Sequence, residues 1–72
     1  MKLSYYPETD SLYIDLTERE SVESLEVSAG VVFDYDAAGG VVGIDIDNAS
    51  RKVQLHQLTL DRLPAVVERV AG

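Results

Sequence analysis

The sequence predicts an α+β domain, an antiparallel β-meander of four to five strands with a C-terminal amphipathic helix packed on one face. Three observations carry that prediction. Two runs of strand-forming residues, Val31–Asp36 and Val41–Asp47, flank the turn residues Ala37–Gly40 and sort into one apolar and one carboxylate-lined side. A second pair of alternating runs flanks Pro7–Asp10. The tail places Leu63, Val66, Val67 and Val70 at i, i+3, i+4 and i+7, behind Asp61 as a cap and Pro64 in the first turn. With 72 residues the chain reads as a single domain: a meander over 1–47, a connecting segment over 48–60 and a helix over 61–71.

In the first hairpin, Pro7 cannot donate to a ladder and suits the second position of a turn. Pairing Tyr6 with Ser11 then sets Tyr5 against Leu12, Leu3 against Ile14 and, on the opposite face, Ser4 against Tyr13 and Lys2 against Asp15. Residues 17–24 are polar and mostly acidic and suit an exposed connection. Leu25-Glu26-Val27 resumes alternation before Ser28-Ala29-Gly30. A two-residue turn there opposes Leu25 to Asp34. A three-residue loop with Gly30 in the left-handed position opposes Leu25 to Phe33 and Val27 to Val31, and is the better match.

In the second hairpin Asp36 faces Val41, Tyr35 meets Val42, Phe33 meets Ile44 and Val31 meets Ile46 on the apolar side. Val32, Asp34, Asp36, Val41, Gly43, Asp45 and Asp47 fall on the other. A one-residue slip would bury the aspartates, so the register is well specified. Asn48–Lys52 breaks the alternation and suits one helical turn. Residues 53–60 fit either a short strand or a turn of helix.

Size predicts assembly. Four strands make a sheet ~15–20 Å wide, whereas a helix of ~9 residues is ~13 Å long and ~10 Å across. One such helix covers about half of the apolar face. The rest must meet a second chain, residues 53–60 or water, which predicts a homodimer or another protein partner. The expected interface comprises Tyr35, Val42, Ile44, Leu63, Val66, Val67 and Val70.

Composition narrows the function classes. There is no cysteine, so disulfides and thiolate metal sites are excluded, which fits a reducing compartment. No apolar run approaches the ~20 residues that span a bilayer, and the first residues lack a signal-peptide core. A cytoplasmic protein without membrane contact is expected. The net charge of −7 argues against nucleic acid as a partner. It is also uneven: residues 1–50 hold eleven acids and two bases, and residues 51–72 hold four bases and two acids. An acidic sheet with a basic tail can attract itself, although a plain solubilising surface explains the acids as well.

No catalytic constellation is recognised and no cofactor is expected. Asp34 and Asp45 are diagonal neighbours in the hairpin, roughly 7–8 Å apart at Cα. Paired carboxylates can serve as acid and base, but that needs a cleft and a raised pKa, which a meander's outer face does not supply. Asp34, Asp36 and Asp45 also echo a calcium loop with Gly39 at its sixth position. Position five is Ala38 and the terminal Glu is missing, so these three remain weak metal candidates beside the simpler reading of an Asp- and Gly-rich turn. His56 is the one histidine and has no partner at informative spacing. Tyr6 and Tyr13, on the polar side, are candidate interface anchors.

Tyr6-Pro7-Glu8-Thr9-Asp10-Ser11-Leu12-Tyr13-Ile14 resembles the opening "Y-D-p-e-x-D-x-L-Y-I" of a small prokaryotic family catalogued as domain of unknown function 2283. Asp34-Tyr35-Asp36, Gly39, Val42-Gly43-Ile44-Asp45-Ile46 and Ala49-Ser50 are similar to its "D-y-D-x-x-G-x-x-V-G-I-E-I-l-x-A-S" core. The resemblance covers about residues 1–52. It departs where Pro7 directly follows Tyr6 and where Asp45 replaces the usual Glu. The resemblance implies a small β-rich domain without assigned catalytic residues, and an antitoxin-like role as one option. Together these readings describe an uncharacterised, self-associating protein-interaction module, antitoxin-like or scaffolding. The alternative is a small-ligand or divalent-cation binding domain using the hairpin aspartates.

Overall fold

Alternation of apolar and polar side chains resolves into five strands in the computed structural model, which describes residues 1–64. They are β1 (Lys2–Tyr6), β2 (Ser11–Asp15), β3 (Glu23–Ser28), β4 (Val31–Tyr35) and β5 (Val41–Ile46). The β1–β2 hairpin has the expected register throughout, from Lys2 opposite Asp15 to Tyr6 opposite Ser11. At the β3–β4 turn Gly30 takes φ 71°, the left-handed conformation that a glycine accepts without strain. Leu25 opposes Phe33 as expected, but Ser28 takes the place opposite Val31 and leaves Val27 as the extra residue of a bulge. In the β4–β5 hairpin Phe33 opposes Ile44 and Val31 opposes Ile46. Nearer the turn the register shifts, so that Tyr35 opposes Val41 rather than Val42.

The strand order is β1-β2-β5-β4-β3, with every neighbouring pair antiparallel, which corrects the expected meander. Strands β3, β4 and β5 do form a meander, but β2 pairs with β5 and gives a Greek-key arrangement. The connection between β2 and β3 therefore crosses the ends of β5 and β4. Three strand spacings are ~14 Å, well within the reach of residues 16–22. That connection is pinned at both ends: the Leu16 amide donates to the Val42 carbonyl (2.9 Å) and the Val22 amide to the Tyr35 carbonyl (2.8 Å).

The helix expected over 61–71 is also corrected. Asp61–Pro64 is irregular, and the only helical element among the described residues is a 3-10 turn, Ala49–Arg51. Arg62 sits at φ 56° and Leu63 precedes a proline that disfavours the helical region, so the turn that Asp61 was to cap does not start. Val66, Val67 and Val70 lie outside the described residues. The described chain is thus an all-antiparallel five-stranded sheet rather than an α+β layer pair. No helix among the described residues is long and apolar enough to cross a membrane.

Register aligns the apolar residues across the whole sheet. Leu3, Ile14, Ile44, Phe33 and Leu25 form one row through all five strands, and Tyr5, Leu12, Ile46 and Val31 form the next. Few of them are shut away from water: Leu12, Val42 and Ala49 are the buried apolar residues among those described. Residues 53–58 run beside Leu3, Tyr5 and Leu12 and leave a trough of about 650 Å³. At the other edge Leu25 stays 57% exposed and Val27 45%. Of the expected interface residues, Val42 is buried, Tyr35 and Ile44 are half-buried on this face, and Leu63 is exposed in the irregular segment.

Candidate functional site

The opposite face carries the polar side chains, and its layout follows from the same register. Tyr13 on β2 lies opposite Asp45 on β5, and Asp34 on β4 lies opposite Gly43 on β5. Because Gly43 has no side chain, the Tyr13 ring crosses above it. The phenol donates to Asp34 Oδ2 at 2.5 Å, two strands away. Ser24, directly across from Asp34 on β3, donates to Oδ1 at 2.5 Å. A Cβ at position 43 would stand 2.8 Å from Tyr13 Cζ, closer than such atoms approach, so glycine is what opens this path.

Electrostatics follow the geometry. The hydrogen bond to Asp34, then burial, then the charges of Asp34, Asp15 and Asp45 push the Tyr13 phenol up to about 12. Asp45, half-buried beside Tyr13, is raised above its ordinary value by burial first and then by Asp47 and Asp34. Both Asp34 oxygens are engaged by hydroxyl donors. The carboxylate is therefore organised as an acceptor that ties β2, β4 and β3 together, not as a free base.

Asp36 does something else. Its Oδ1 accepts from the Ala38 amide (3.0 Å) and the Gly40 amide (2.8 Å), closing the hairpin tip. Oδ2 accepts from Arg19 Nε at 2.7 Å, which holds the crossing connection against that tip. The Gly40 amide first, then Arg19, keep the Asp36 carboxyl below the usual carboxylate range. Of the weak metal candidates, Asp34 and Asp45 thus share a face while Asp36 is committed to the turn. No group of three or more acids or His among the described residues is arranged to hold a metal ion. His56 is exposed in the segment that flanks the apolar side.

A third polar cluster closes one end of the sheet. Asp10, at φ 53° in the β1–β2 turn, reaches the 3-10 turn forty positions on. Its carboxylate accepts from the Ser50 amide (3.1 Å) and hydroxyl (2.7 Å), and its carbonyl accepts from the Ala49 amide (2.8 Å). Tyr5 donates its hydroxyl to the same carboxylate at 2.8 Å. Ser50 first, then Tyr5, hold the Asp10 carboxyl below its usual range. Asn48, at the N-terminal end of this turn, makes no side-chain cap bond; Asp10 does that work from another element.

Sequence reasoning placed Tyr13 and Asp34 on the polar face but not in contact, and it missed the Asp10–Ser50 pin. The signal for the first was the glycine opposite Asp34, readable only once β2 and β5 are neighbours. The two segments that carry the family resemblance therefore meet along the β2–β5 ladder and through two further contacts, Asp10 with Ala49-Ser50 and Tyr13 with Asp34 over Gly43. The first ties the β1–β2 turn to the 3-10 turn, and the second ties β2 to β4. No curated protein and no solved structure matches the chain. A family model does, over residues 2–50, and its description is "Protein of unknown function (DUF2283)". The five-stranded sheet and both of its polar ties fall within those residues, and the chain belongs to the DUF2283 family.

Proposed function

We propose that this domain is a protein-interaction module that works as an assembly of its own copies, joined through the apolar sheet face. The observation that carries this reading is that the apolar side chains of both edge strands stay exposed, Leu3 and Tyr5 on one and Leu25 and Val27 on the other, while those between them are mostly half-buried. Five strands at ~4.8 Å and five residues at ~3.4 Å give the face a projected area of about 400 Å². The largest apolar patch on a typical monomer is about 300–600 Å² and is often functional. Burying one Leu-sized side chain contributes about 1.5–3 kcal/mol, so closing even part of this face offsets a substantial ordering cost.

Charge supports the same surface. Asp15, Asp34, Asp45 and Asp47 lie on the outer face or its margin, so two chains of net charge −7 that meet through apolar faces keep these carboxylates apart. Stacked sheets sit ~10 Å apart, and the outer carboxylates are farther still, beyond the ~8 Å over which charges act at physiological ionic strength. Sedimentation velocity on the full chain tests this. A dimer or larger assembly of the 7.9 kDa chain at micromolar concentration is expected. A monomer throughout that range refutes the reading, and a hetero-complex with a second protein from the native host would reassign the face to that partner.

A further inference from the structure

The apolar face is not uniform, and its two edges differ. Beside β1 lies the trough of about 650 Å³ bounded by Leu3, Tyr5, Leu12, Leu55 and Leu58. At β3 the exposed Leu25 and Val27 line the edge strand with apolar side chains, termed the ridge. Because β5 is the central strand of five, trough and ridge are displaced equally to either side of it. Leu3 and Leu25 also belong to one row across the sheet, so they stand at the same height along the strand direction.

Resting on the self-association reading, we propose that two copies close face to face about a two-fold axis parallel to the strands and running over β5. Rotation about that axis turns the face over and exchanges left with right while preserving height. The ridge of each copy then seats in the trough of the other, and Leu25 of one copy lies over Leu3 of its partner. The contact is isologous and occurs twice. A two-fold perpendicular to the strands would set ridge on ridge and trough on trough, leaving both troughs unfilled. The chosen axis keeps the strand directions of the two sheets aligned, as in ordinary sheet-on-sheet packing with ~10 Å between layers. It also brings Ile44 and Ile46 of the two central strands together at the middle of the new core.

The chain has no cysteine, so introduced thiols report the geometry without background. Leu3→Cys, Leu25→Cys and the double variant are treated with a short bis-maleimide that spans the ~10 Å between stacked sheets. Positions 3 and 25 are on strands four spacings apart in one chain, ~19 Å, beyond the reagent's reach internally. The expected result is that the double variant becomes mostly covalent dimer while each single variant stays uncross-linked. Both sites are exposed, so circular dichroism should match the parent. Efficient cross-linking of each single variant would establish the other axis and overturn the proposal. So would an uncross-linked double variant that still sediments as a dimer, because the assembly would then use another surface. A double variant and parent that both sediment as monomers would overturn this proposal and the self-association reading together.

Discussion

Replacing Gly43 with alanine perturbs the polar face at one atom. The new Cβ would meet the Tyr13 phenol, so the ring must leave its path and Asp34 loses one of its two hydroxyl donors. A hydrogen bond to a charged group is worth about 1.5–3 kcal/mol, toward the lower end here because Tyr13 and Asp34 are only half-buried. Alanine in a strand returns about 0.5–1 kcal/mol relative to glycine. The net destabilisation of Gly43→Ala is therefore about 1 kcal/mol. Tyr13→Phe removes the same bond without touching the backbone and should cost about 1.5 kcal/mol. Once alanine has displaced the ring, losing the hydroxyl matters little, so the double variant should fall about 1.5 kcal/mol short of additivity. Urea unfolding at fixed protein concentration measures all three, since any assembly makes midpoints concentration-dependent. Ultraviolet titration gives an independent check. The Tyr13 phenol, raised to about 12 in the folded chain from an ordinary value of 10.0, should titrate closer to that ordinary value in Gly43→Ala. Being raised on folding, it contributes stability that is complete below about pH 10 and lost as pH climbs toward 12. Additive losses together with an unchanged tyrosine titration in Gly43→Ala would refute the crossing of Tyr13 over Gly43.

Two further outcomes follow from the other carboxylates. Asp45 is raised by burial and by Asp47 and Asp34, so its contribution to stability is full in acid and is lost as pH rises through its folded value. Asp45→Asn should therefore stabilise the domain at pH 7, by less than about 1 kcal/mol given its solvent exposure, with the gain vanishing below the ordinary carboxylate range; a loss at pH 7 would contradict this. Asp10 is lowered by Ser50 and Tyr5, so its contribution is present above the ordinary carboxylate range and lost as pH falls through its lowered value. Asp10→Ala should lower the urea midpoint at pH 7 and flatten the acid side of the stability profile, and an unaltered acid limb would show that the pin carries no weight.

Local pattern explains which parts of this architecture were readable. The β1–β2 register was legible to the residue because Pro7 fixes the turn and both faces alternate cleanly around it. Gly30 announced its left-handed turn, although not that Val27 would be the bulged residue. The shift that sets Tyr35 opposite Val41 has no comparable marker, since valines at 41 and 42 fit either face. Strand order was not legible: alternation says which face a side chain takes and nothing about which strand lies beside it, so β2 next to β5 could not be read. The helix expectation rested on spacing, an Asp61 cap and Pro64 as a first-turn residue, and gave no weight to the restriction that Pro64 places on Leu63. At the site, the Asp34–Asp45 neighbourhood was legible from one hairpin. The Tyr13 and Asp10 contacts join residues of elements distant in the chain and needed the tertiary arrangement.

The β2–β5 pairing bears on how the chain reaches its native state. Each hairpin closes a short loop, but β2 with β5 joins residues about thirty positions apart, from Asp15 with Gly43 to Leu12 with Ile46. Loop-closure entropy therefore falls mainly on this seam, and it must be met before the seam's contacts give anything back. The tyrosine that crosses β5 and the aspartate that holds Ala49 and Ser50 both bridge residues flanking this seam. They behave as stitches beside the pairing whose closure costs the most loop entropy.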